Sequence, residues 1–286
     1  MNRPIVNNGR PAFSMIELIF VIVVLGIVAS LGSELIAKVY RSYILQRALH
    51  RAETKTELAA LEIANRLAAA IPGTVVRKQS NTSTSYEYLD APMSYSGTSY
   101  NVLQWVGADI DSFNRYKSST QKVGWSGLID VNNTANTATN LVTPGSDLSL
   151  ANTVISNLNG GALPAGWSPV IFFPHDTTGY DLTTPLSGNT LSLQGGGAGH
   201  IVEHYKLAWT SYALSVENGD LYLYYGFDPK VGWTIPSNTK KSLLLHNVST
   251  FKFKGDGRTI RFKICKSENI GDSDFNVTAC KEKAVF

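Results

Sequence analysis

Along this chain the hydrophobic pattern changes character twice. Residues 18–33, LIFVIVVLGIVASLGS, carry no charge, and extending the run back to Phe13 gives 21 positions interrupted only by Glu17. A helix rises about 1.5 Å per residue, and roughly 20 apolar residues cross a hydrocarbon layer about 30 Å thick, so 13–33 has the length of a membrane span. Further on, the pattern becomes periodic. Leu45, Leu49, Ala52, Thr56, Ala59, Ile63, Leu67 and Ile71 recur at spacings of three and four, which predicts a helix with one apolar face. No Pro occurs between 37 and 71, and Pro72-Gly73 stops the run. One straight helix over 13–71 would be roughly 88 Å long, a spine with a membrane half and an amphipathic half.

From Thr74 onward Ser, Thr, Asn, Gly and Tyr dominate, and a third pattern emerges. Residues 130–166 are rich in Asn, Thr, Ala and Gly with weak periodicity, and read as loops or a surface excursion. The C-terminal third alternates. Segments 201–210, 212–216, 221–227, 248–254, 259–264 and 275–280 are strand-like, with turns at Asn218-Gly219 and Gly255-Asp256-Gly257. The expected fold class is α+β: a long N-terminal helical spine packed against a C-terminal antiparallel sheet. The segments are a polar leader (1–12), a transmembrane helix (13–33), its amphipathic continuation (34–73) and a β-rich globular domain (74–286). No fixed-period repeat points to a solenoid.

Composition narrows the function classes. Of the 286 residues 43% are hydrophobic, ample for a core, and the mean hydropathy of −0.04 is the average of an apolar anchor and a polar domain. The 25 Lys and Arg against 22 Asp and Glu give only +3, which disfavours bulk electrostatic binding to nucleic acid or lipid as the main purpose. Two cysteines exclude a disulfide scaffold or a zinc-finger array. Charge is placed unevenly: residues 74–239 hold 7 basic and 12 acidic side chains, and residues 240–286 hold 10 basic and 5 acidic.

The leader, MNRPIVNNGRPA, carries Arg3 and Arg10 and no acid. A signal peptide would be cut after the apolar run, which Ala29, Leu31 and Gly32 loosely allow, but such a run is usually shorter, about 7–15 residues. Glu17 is the more telling residue. An unpaired carboxylate at mid-membrane depth costs on the order of 2.5–3.5 kcal/mol on insertion scales, so it calls for a partner or for snorkelling to the headgroups. The segment Ala12-Phe13-Ser14-Met15-Ile16-Glu17-Leu18 resembles the processing site of type IV prepilins and type II secretion pseudopilins, departing from it at Ala12, where Gly is commonest.

That resemblance implies cleavage between Ala12 and Phe13 by a prepilin peptidase, N-methylation of Phe13, and Glu17 as the fifth residue of the mature chain. The new ammonium at Phe13 would then be neutralised by Glu17 of a neighbouring subunit, so that burial of either charge is favourable only in an assembly. It also implies a non-enzymatic subunit of a pilus-like or secretion filament. Its partners are other pilin or pseudopilin subunits and inner-membrane lipid, and the C-terminal domain is periplasmic. Basic residues on both sides of the span, with Lys38, Arg41, Arg47 and Arg51 following it, do not set this orientation by count; the processing motif does. The region LLLHNVSTFKFKGDGRTIRFKICKSENIGDSDFNVTACKEKAVF further resembles larger minor subunits of the J or W type, more loosely. The competing reading is a membrane-anchored binding protein or adhesin outside any filament.

Other patterns carry chemistry less well. Cys265 and Cys280 lie 15 apart and in an oxidising compartment can close a loop worth about 3 kcal/mol, as pilins often do; the alternative is two free thiols. His200-Ile201-Val202-Glu203-His204 matches the inverted zinc-peptidase motif, which needs a helix to bring both imidazoles to one metal. A Gly-rich run before it and a β-like run after it argue against one, so no metal or catalytic residue is assigned. Asp272-Ser273-Asp274-Phe275-Asn276 opens like a calcium loop but has no Gly at the sixth position and Lys283 at the twelfth, so a structural calcium ion is not favoured. Lys252, Lys254, Arg261 and Lys263 alternate with apolar residues and fall on one face. The leading reading is a solvated face; docking to an acidic neighbour comes second, and contact with nucleic acid in a competence filament third.

Overall fold

The computed structural model describes residues 14–91, 100–174, 176–270 and 276–286. Helix α1 runs unbroken over Met15–Ala68, 54 residues. Ser14 caps it, its hydroxyl accepting from the Glu17 N–H at 3.3 Å. The helix ends four residues before Pro72, because residues 69–71 are taken over by a strand. Ala108 N–H donates to Ala69 C=O at 2.8 Å, and Ile71 N–H donates to Val106 C=O at 2.9 Å.

Two main antiparallel sheets follow, with two short strand pairs beside them. The larger has eight strands, with a path from Lys240–Leu245 through Asp220–Phe227, Lys206–Glu217, Val102–Ala108 and Val76–Lys78 to Glu87–Tyr88. Val170–Phe172 pairs with the start of Lys206–Glu217, and Tyr180–Asp181 pairs beyond it. The segments 201–210 and 212–216 expected as two strands form one, Lys206–Glu217, with an irregular register between Ser211 and Tyr212. It turns at Asn218-Gly219, whose φ angles of 52° and 83° are those of a type I′ hairpin. The smaller sheet is a meander of Val248–Asp256, Thr259–Asn269 and Asn276–Val285. Its first hairpin is tighter than expected. Asp256 pairs with Thr259, leaving Gly257-Arg258 as the two-residue loop.

The second half of α1 packs between the sheets. Ala59, Ala60, Ile63 and Leu67 share one core with Leu103, Trp105 and Leu214 of the large sheet and Phe262 and Ile264 of the small one. The apolar stripe is offset from the one expected. Leu45 and Leu49 are exposed, and the half-buried face begins at Ile44 and Ala48, continuing through Ala52, Thr56 and Ala59. Small side chains at this interface let the sheets approach closely, whereas the bulkier leucines flank it.

The reading of 130–166 as loops is corrected. The region contains the strand Asn140–Val142 and helix α3, Leu148–Asn159; between them and the first large-sheet strands lies the one-turn helix α2, Ile110–Phe113. Asp147 caps α3 by accepting from Leu150 N–H at 3.3 Å, and Gly160, at φ 80°, ends it. Leu148, Ala151 and Ile155 bury one face against Ile171, Leu191 and Leu207 in a second core. The segment is a structural layer of the domain.

Candidate functional site

The first turn of α1 holds Glu17, the residue to which the sequence assigns assembly. Ala12 and Phe13 lie outside the described residues. Glu17 sits in that first turn, with its carboxylate at the positive end of the helix dipole, and it is exposed. Glu17 is the one charged residue between 14 and 33. Every residue from 14 to 43 is exposed, including Phe20 at 70% and Leu25 at 67%. This part of α1 is therefore long and apolar enough to cross a membrane, and it is not buried by the described residues. Polarity resumes at Glu34, which pairs with Lys38 one turn on at 2.9 Å.

Beyond the exposed half the helix is tied to the domain by charge as well as by packing. Glu57 accepts a hydrogen bond from Lys283 Nζ at 2.6 Å and lies 3.6 Å from Lys281 Nζ. Both lysines belong to Asn276–Val285, so the last strand is clamped to the spine across 226 residues of sequence. The Lys283 hydrogen bond holds the Glu57 carboxyl below its ordinary range, over the opposing effect of partial desolvation. Near the end of the helix the Arg66 guanidinium lies over the Tyr212 ring, 5.6 Å from its centre. Sequence reasoning missed this clamp, because a lone Glu and a Lys-x-Lys carry no mutual signal at such separation.

Cys265 and Cys280 face each other on adjacent strands and are joined in a disulfide. The bond pins the last strand to its neighbour, and that strand carries the lysines of the Glu57 clamp. Lys252, Lys254, Arg261 and Lys263 are all exposed, as the alternation predicts. Lys252 stands opposite Lys263, and Lys254 opposite Arg261. Like charges directly opposite cost some stability, and two acids lie beside them, Glu282 opposite Lys263 and Asp256 two residues beyond Lys254 on the same face. The motif His200 to His204 is not helical, and both histidines are exposed. Most of the calcium-like segment, 271–275, lies outside the described residues.

No family model matches the chain, and no curated protein or solved structure matches it. The site is thus described by its own geometry: an apolar helix exposed on every side, one carboxylate at its start, and a disulfide-bonded sheet clamped to its far half.

Proposed function

We propose that this chain is a non-enzymatic minor pilin or pseudopilin. In this reading a prepilin peptidase cuts between Ala12 and Phe13, and the apolar half of α1 sits in the bacterial inner membrane with the C-terminal domain in the periplasm. The subunit then joins other pilin-like subunits in a type IV pilus-like or type II secretion filament.

The observation that carries the reading is the complete exposure of residues 14–43 in a helix whose second half is a core element. A helix that is apolar all round requires lipid or other helices on every side. Glu17 separates a filament subunit from a simple anchor. For an anchor it is a cost with no return, whereas in an assembly it meets the new amino terminus of a neighbour. Exposed Leu45, Leu49, Leu58 and Leu61 extend the apolar surface beyond the membrane half, where neighbouring helices of a filament would cover it.

Replacing Glu17 by Leu tests this. The variant should still be cut, remain in the membrane and form its disulfide, while its share in sheared or detergent-extracted filaments falls about tenfold or more. Incorporation at the wild-type level would contradict the role given to Glu17.

A further inference from the structure

The far end of the spine opens onto a feature that the filament reading leaves unused. A cleft of about 850 Å³ lies where the last turn of α1, the large sheet and the tip of the Gly257-Arg258 hairpin meet. That volume lies within the range of about 300–1,000 Å³ typical of small-molecule sites.

Its walls are aromatic and fixed. Trp125 and Tyr205 are buried, their rings 5.7 Å apart, and the Phe113 ring lies 4.8 Å from that of Trp125. Their polar atoms are engaged away from the cleft's needs. Trp125 Nε1–H donates to Asp109 C=O at 2.8 Å, and the Tyr205 hydroxyl bonds Thr143 at 2.9 Å. These side chains therefore offer the cleft apolar ring surface. At the rim Ile110, Phe113 and Leu128 are exposed at 44%, 43% and 38%, an apolar collar that the described residues leave partly uncovered.

The charge on the lining has one sign. Among the described residues His204, Lys206 and Arg258 border the cleft, and no Asp or Glu does so. Among the described residues none of these three side chains makes an ion pair; the pairs of the domain lie elsewhere. Lys206 and Arg258 also border the adjoining cavity, which Asp90 and Asp176 line, so the two cations stand at the junction and face both. A peptide adding as a strand has no place here. Lys206 to Ala208 already pair with Val170–Phe172, and Leu207 C=O accepts from Asp109 N–H at 2.8 Å.

We infer that this cleft binds a small anionic amphiphile, its flat apolar body against Phe113, Trp125 and Tyr205 and its carboxylate or sulfonate toward Lys206 and Arg258. The inference stands on the domain alone and does not depend on filament assembly.

The test is titration calorimetry of 2-naphthoate into the full chain in zwitterionic lipid nanodiscs, with protein-free nanodiscs subtracted. One saturable site per chain is expected. The Lys206→Gln/Arg258→Gln variant should bind about tenfold more weakly, and neutral 2-naphthamide should bind wild type and variant alike at that weaker level. Ala68→Trp, at an exposed position of the last helical turn that borders the cleft, should abolish binding by filling it. Should that variant fail to fold, the charge variant, which changes only exposed side chains, decides. Absence of saturable binding, equal affinity for naphthoate and naphthamide, or affinity unchanged in the charge variant would overturn the inference.

Discussion

Two buried ionisable side chains give the domain a local pH response of its own. Asp109 is 2% exposed, and burial pushes its carboxyl up to about 6, opposed by hydrogen bonds from Ser112. Its folded pKa lies above the ordinary 3.8, so its contribution is fully present below that value and is lost as pH rises through 6. Asp109→Asn keeps an acceptor for the Ser112 N–H and removes the ionisation. Measured by denaturation across pH, the variant should gain on wild type between pH 4 and 7 by up to about 3 kcal/mol, and a pH-independent difference would refute the assignment. Lys78 behaves in the opposite sense. It is wholly buried, donates to Trp233 C=O at 3.0 Å and to Gly232 C=O at 3.4 Å, and burial pushes its ammonium down to about 8. A depressed pKa costs the fold stability as pH falls from above the ordinary 10.5 through 8. Lys78→Met should therefore gain on wild type over that interval, and parallel stability curves would contradict the account. Neither burial was legible in the sequence, where Lys78 stands beside Arg77 like any surface pair.

At the scale of elements, legibility followed the strength of the periodic signal. The spine was readable because an uncharged run and a three-four stripe point the same way, and the Asn218-Gly219 hairpin because its turn chemistry is specific. The stripe itself was misplaced by one position at its start. Continuing back from Ala52 in steps of four gives Ala48 and Ile44, and small Ala residues were outweighed in the pattern by the larger Leu45 and Leu49. Substitution separates the two faces: Ile63→Ala should cost about 2–4 kcal/mol, as for other buried large-to-small changes, while Leu45→Ala should leave domain stability within about 0.5 kcal/mol. A large loss from Leu45→Ala in the isolated chain would mean that the helix packs on a different face. The strand Val102–Ala108 went unread because it is buried on both sides and so lacks alternation. Helix α3 went unread because Asn, Ser and Thr weaken its helical signal; the Asp147 cap and the Gly160 stop were the cues available.

The whole molecule divides its surface by environment. Residues 14–43 of α1 are exposed, the second half of the helix is part of the core of the domain, and the disulfide-bonded last strand is clamped to that second half through Glu57. The proposed assembly site is read from a local motif, Ala12 to Leu18, whereas the clamp and the cleft come from residues distant in sequence and carry no local signal. The cleft's aromatic residues lie scattered between Phe113 and Tyr205, with no spacing that links them. The distribution of surface gives the proposed role a physical basis: an isolated subunit leaves residues 14–43 uncovered, and a membrane followed by a filament core would cover them in turn. Everything in that account follows from one covalent event, the creation of an ammonium at Phe13. The most direct measurement is the intact mass and N-terminal peptide sequence of the chain purified from native membranes. The account predicts a mature chain that begins at N-methylated Phe13, with the twelve-residue leader gone; a chain that begins at Met1, or one cut downstream of Gly32, would contradict it.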